Sequence, residues 1–145
     1  MAAPVIEFRT GVDDPAAYAA RWLKVAVARG ARVRVLGSPE RLQGLDQQLW
    51  VADKEGFLPH LRAGPAATRA GQDLTPIWLG EGPVAGAAPE LALSLGGDEL
   101  PAQIASYRRI VEIVGTDEAA AQDGRQRWQA YRRAGFEPQH RAAEA

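Results

Sequence analysis

The sequence predicts an α/β protein with a mostly parallel central sheet flanked by helices, and three observations carry that reading. Strand and helix patterns alternate β-α-β-α through the first third of the chain, the order of right-handed crossover units. Two later apolar runs, Leu91–Leu95 and Tyr107–Val114, are near-continuous rather than alternating, as strands covered on both faces are. The length, 145 residues, suits one domain that buries roughly 70% of its unfolded surface.

The elements follow in order. Val5–Phe8 is a short run of β-formers and opens the sheet. Asp14 is placed to cap a helix with Pro15 at its first position, where a missing N–H costs nothing. Tyr18, Trp22, Val25 and Ala26 fall at helical spacing and predict its buried face, and Gly30 stands where a left-handed C-cap favours glycine. Arg32–Leu36 alternates as a second strand. Ser38-Pro39 repeats the cap-and-proline device ahead of Leu42, Leu45 and Leu49. From Arg62 to Glu90, five glycines and four prolines in 29 positions predict loop, with a strand only at Leu74–Leu79. After the two apolar strands, Thr116 is placed to cap a last helix running to about Ala134, with Gly135 beyond it. One domain spans residues 1–145, and residues 135–145 are expected to trail as a flexible tail.

Composition narrows the chemistry. There is no cysteine, which removes disulfides, thiolate metal sites and cysteine nucleophiles, and the two histidines leave little for an imidazole site, so neither metal nor cofactor is expected. The N-terminus lacks a basic start followed by a long apolar run, and no window approaches the ~20 apolar residues of a membrane span; a soluble cytoplasmic protein is expected. A doubly wound fold invites a nucleotide-binding reading. However, Gly80-Glu81-Gly82 with Gly86 is one residue off the dinucleotide fingerprint and lies between prolines, not between a strand and a helix. The first strand-to-helix turn carries Asp13 and Asp14, which repel phosphate. Ser38 and Ser94 lie outside any nucleophile motif, and His60 reads as a loop histidine bonded to backbone, with no carboxylate at an obvious partnering spacing. An α/β enzyme is therefore the weakest of the functional readings.

Charge is more informative when divided. The formal net charge of -1 hides 12 basic and 16 acidic residues in 1–123 against 5 basic and 2 acidic in 124–145. On a helix, Arg125, Trp128, Gln129 and Arg132 fall on one stripe with Tyr131 beside it. Guanidinium groups around a tryptophan suit a ligand that is both anionic and apolar, either a nucleic-acid strand or an acidic peptide with an aromatic end. Alternatively, the arginines complement the helix dipole while Trp128 and Tyr131 face the core. A second cluster, Leu49-Trp50 and Phe57-Leu58-Pro59-His60, flanks the polar turn Asp53-Lys54-Glu55-Gly56; it fits core packing or a partner surface.

These clusters carry a resemblance. Leu45-Asp46 with Leu49-Trp50, then Phe57-Leu58-Pro59-His60 and Ala63-Gly64, resembles the signature of the chi subunit of bacterial DNA polymerase III (the HolC family). The same holds for Val111-Glu112-Ile113-Val114 with Gly124-Arg125-Gln126-Arg127-Trp128-Gln129-Ala130-Tyr131-Arg132, ending at Gly135-Phe136. Ala28-Arg29-Gly30-Ala31-Arg32-Val33 fits as well, so the likeness covers nearly the whole chain in order. It implies a single Rossmann-like domain and a non-catalytic replisome adaptor on the clamp-loader side. It also implies two partners. The acidic, phenylalanine-ended tail of single-stranded DNA-binding protein (SSB) would meet Arg125, Trp128, Gln129 and Arg132. The psi subunit, or a helicase sharing its surface, would meet Trp50, Phe57, Pro59 and His60. Gln129 departs from the lysine of many relatives and leaves one ion-pair donor fewer for the tail. DNA would be contacted mainly through SSB; direct single-strand binding by the same arginine-tryptophan stripe is the competing reading.

Overall fold

A computed structural model describes residues 3–51, 58–64, 74–97 and 99–142. Its strands are β1 (Val5–Val12), β2 (Val33–Leu36), β3 (His60–Arg62), β4 (Ile77–Leu79), β5 (Leu91–Ser94), β6 (Arg109–Gly115) and β7 (Gln139–Ala142). Three helices accompany them: α1 (Pro15–Ala28), α2 (Pro39–Val51) and α3 (Glu118–Arg133). All seven strands join one sheet in the order β3-β4-β2-β5-β6-β1-β7, and every pairing is parallel. This is the α/β architecture expected, consistent with a Rossmann-like domain. The core is divided by the sheet. Ala19, Leu23, Leu45 and Leu49 of α1 and α2 pack with Val33, Val35, Leu93 and Val111 on one face. Tyr131 and Trp128 of α3 pack with Ile6, Phe8 and Ile110 on the other.

The helix signals act as the sequence indicates. The Asp14 carboxylate accepts from the Ala17 N–H at 3.1 Å and Pro15 begins α1. At its other end Gly30 has φ +82°, and the Ala31 and Gly30 amides return to the Ala26 and Val27 carbonyls at 3.0 and 2.9 Å. That paired return requires a left-handed residue, which glycine adopts without a Cβ penalty. The same closure ends α3 at Gly135, where the Phe136 amide reaches the Tyr131 carbonyl at 3.0 Å. The Ser38 hydroxyl accepts from the Arg41 N–H at 3.3 Å, and Leu42, Leu45 and Leu49 are all buried.

Several expectations are corrected. The buried side of α1 is Ala19, Ala20, Leu23 and Ala26; Tyr18 and Trp22 pack at its margin and Val25 is 51% exposed. Alanines let the helix backbone lie close to the sheet, so small residues rather than bulky ones mark the contact. The cap of α3 is Asp117, whose carboxylate accepts from the Ala120 N–H at 2.8 Å, and not Thr116. His60 lies in β3 rather than a loop. Residues 139–142, assigned to the tail from sequence, pair with β1 as β7. Both strands are short and held by neighbours rather than by apolar patterning, so a periodicity reading passes over them.

Candidate functional site

Glu112 is the one acidic residue in the apolar run of β6, and it points to the α3 side, where it is 1% exposed. A buried carboxylate needs a partner of opposite charge. Arg127 of α3 supplies it: Nε donates to Glu112 Oε1 at 3.0 Å and Nη2 donates to Oε2 in a closer contact. The same guanidinium donates from Nη2 to Ser94 Oγ at 2.9 Å, and from Nη1 to the carbonyls of Gly97 and Glu99 at 2.9 and 2.7 Å. The Tyr131 hydroxyl donates to Glu112 Oε2 at 2.6 Å. Burial pushes the Tyr131 hydroxyl far above the ordinary tyrosine range, and the Glu112 charge beside it adds to that. Burial opposes the charge of Arg127, but Glu112 outweighs it and holds the guanidinium above its ordinary value. One of the four arginines between Gly124 and Phe136 is thus internal, and Tyr131 belongs to the core.

This anchor sets what α3 presents outward. Gly124 brings the helix against β6 so closely that a Cβ there would stand 3.0 Å from both methyls of Val114. Trp128 is half-buried, its ring set edgewise against Phe8 at 5.2 Å between centroids. Between α3 and the end of β1 lies a groove of about 620 Å³, lined by Phe8, Val114 and Trp128 on its apolar walls and by Arg125, Gln129 and His140 among its polar groups. His140 Nε2 and the Thr10 hydroxyl share a hydrogen bond of 2.6 Å, tying β7 to the groove's side. Arg125, Trp128 and Gln129 therefore share one concavity, with Arg125 and Gln129 exposed. Arg132 is exposed on the same helix and lies outside the groove lining. The walls suit an apolar group, and the arginine at the rim suits an anion.

The second cluster sits elsewhere. Trp50, near the end of α2, is 61% exposed and meets the His60 ring edgewise at 5.4 Å. The His60 side chain is buried, with Nδ1 2.8 Å from the Leu58 carbonyl and Nε2 2.7 Å from Asp46 Oδ1. A carboxylate partner exists after all, 14 residues earlier on α2, so spacing along the chain concealed a contact made by folding. Pro59 beside it is exposed, and Phe57 lies outside the described residues. His60 acts here as a brace between β3 and α2, and Trp50 is the part offered to solvent.

The crevice at the C-terminal ends of β2, β4 and β5, where doubly wound folds bind nucleotides, measures about 660 Å³. Its lining includes Glu40, Glu81, Glu99 and Asp123 against Arg41 and Arg127, and Arg127 is already engaged. That charge pattern is unfavourable to phosphates. Among the described residues no cluster of three or more histidine or acidic side chains could hold a metal ion. No helix of the described residues is long and apolar enough to cross a membrane.

Comparison with known proteins bears on the whole chain. Residues 4–139 match the family described as DNA polymerase III chi subunit, HolC. No curated protein matches the chain.

Proposed function

Since the chain belongs to the DNA polymerase III chi subunit family, we propose that it is a non-catalytic adaptor of the cytoplasmic replicase, holding the acidic C-terminal tail of SSB in the α3 groove and joining psi through the Trp50 surface. The observation that carries the tail assignment is the groove itself. Its apolar walls at Phe8, Val114 and Trp128 suit a terminal aromatic side chain, and Arg125 at its rim suits the carboxylates of an acidic peptide. Arg132, farther along the helix, is available to acidic residues upstream of the end. Rim charges of this kind give steering and salt dependence more than affinity. Ordering a disordered tail opposes binding, which places the dissociation constant on the order of micromolar.

The psi assignment rests on an exposed indole braced by a buried histidine, the type of rigid aromatic anchor that dominates interfaces. A helicase sharing this surface would use the same anchor.

Titration of a labelled acidic peptide ending in Pro-Phe tests the tail site. Arg125→Ala should weaken binding roughly fivefold, about 1 kcal/mol, the upper end for an exposed ion pair. The difference should shrink as salt is raised. Equal affinity of the two proteins at low salt would remove Arg125 from the site.

A further inference from the structure

We propose that the protein has a second binding site, for the phosphodiester backbone of single-stranded DNA, in an arginine-lined groove on the opposite face of the sheet from α3. The groove, about 600 Å³, lies between the C-terminal half of α1 and the strands β1, β6 and β7. Five arginines line it: Arg9, Arg29, Arg108, Arg109 and Arg141. The register of the sheet gathers them. Arg9 and Arg141 are direct partners across the parallel β1–β7 pair and project on the same side; Arg109 begins β6 opposite Val5 and is joined to Arg9 through the Glu7 carboxylate between them.

Two of these side chains are held in place from below. The Glu7 carboxylate accepts from Arg9 Nη2 at 3.1 Å and from Arg109 Nη2 at 2.7 Å, and the Tyr18 hydroxyl accepts from Arg9 Nη1 at 2.8 Å. Burial would raise the Glu7 carboxyl, but the bonds from both arginines outweigh it and hold it below the usual range, so Glu7 stays anionic. One carboxylate against two guanidinium groups leaves positive charge uncompensated. Arg108 makes an exposed contact of 3.5 Å with Glu90, the one acidic residue in the groove's lining. Arg29 and Arg141 are exposed.

The chemistry favours a nucleic-acid strand over an acidic peptide. Guanidinium forks match phosphate oxygens in pairs, and several in a row suit a repeating anion. Half-buried Trp22 and exposed Val25 form the groove's apolar side, against which unpaired bases can lie. This site is independent of the α3 groove, and Arg125 and Arg132 take no part in it.

The test uses the full chain and a fluorescein-labelled oligo-dT, read by anisotropy across a salt series, with Arg29→Glu/Arg141→Glu as the variant. The expected result is binding at low salt that falls at least tenfold in the variant. Removing two phosphate contacts should also flatten the slope of log affinity against log salt by about 1.4. Binding of the acidic Pro-Phe peptide should be unchanged, which reports an intact fold, and Arg108→Glu should give a smaller loss of oligonucleotide binding in the same direction. Absence of oligonucleotide binding by the wild-type chain overturns the proposal. So does equal binding by the variant, or a loss reproduced by Arg125→Ala/Arg132→Ala. Tighter binding of a poly-glutamate peptide, lost in the same variant, would assign the groove to an acidic protein segment instead.

Discussion

At the scale of the residue, Arg127 shows how far a charge count can differ from a surface. It stands in the most basic stretch of the chain, yet it is 5% exposed and satisfies Glu112, Ser94 and two carbonyls. Replacing it by methionine keeps the volume but leaves Glu112 buried without its counter-charge, at a cost of about 3–5 kcal/mol. Urea denaturation should show the midpoint falling accordingly, whereas Arg125→Met should leave it in place. Tyr131 gives a pH signature. Its hydroxyl is far harder to ionise in the folded chain than in the unfolded one, so the folded state binds the extra proton. That contribution is complete below the unfolded tyrosine pKa of ~10 and is lost progressively as pH rises above it. Tyr131→Phe should therefore lower stability at neutral pH by about 1.5–3 kcal/mol, the worth of a hydrogen bond to a charged group. It should also flatten the alkaline limb of a stability-against-pH profile. An unchanged limb would mean that Tyr107, which burial also raises, carries it alone.

At the scale of the element, the height of α3 over the sheet depends on one absent side chain. A Cβ at Gly124 would press on two methyls of Val114 at 3.0 Å. Those methyls sit on a β-branched residue in a strand and have little room to turn away. Gly124→Ala should cost about 1–3 kcal/mol by overpacking, despite alanine's better helix propensity. Val114→Ala on that background should recover part of the loss in a thermal melt, since it removes the opposing methyls. Simple additivity of the two changes would contradict the contact. β7 shows the complementary case. Four exposed residues with no apolar pattern form a strand because β1 has a free edge, and His140 thereby reaches Thr10 beside the groove.

At the scale of the whole molecule, strand order separates the two proposed partner surfaces. β3, with His60 beneath Trp50, is one edge of the sheet, and β1 and β7, beside the α3 groove, form the other. Six inter-strand spacings of ~4.8 Å put these edges roughly 29 Å apart, beyond direct contact and well past a Debye length in physiological salt. An adaptor with this layout can hold both partners together. The affinity for the tail peptide should therefore change by less than about twofold when psi is saturating, measured by calorimetry with and without psi. Mutual exclusion would place the two sites on one surface.

The sequence by itself determined the α/β class, the cap and glycine closure of α1, the glycine closure of α3, and the arginine-tryptophan pattern on α3. Each of these rests on neighbours within a few residues: Asp14 and Ala17, Gly30 and Ala26, Arg125 and Trp128. Family membership was legible as well, since its motifs are contiguous runs. Folding alone decided which charges face inward. Arg127 and Glu112 are 15 residues apart, His60 and Asp46 are 14 apart, and Arg9 and Arg141 come side by side only through β7. Helical spacing puts Arg127 and Arg125 on different faces but does not say which face meets the sheet, so the buried charge is known only once the helix is seated. Parallel pairing brings distant segments into register through backbone hydrogen bonds that carry no side-chain signature, and the groove of five arginines exists only because of it.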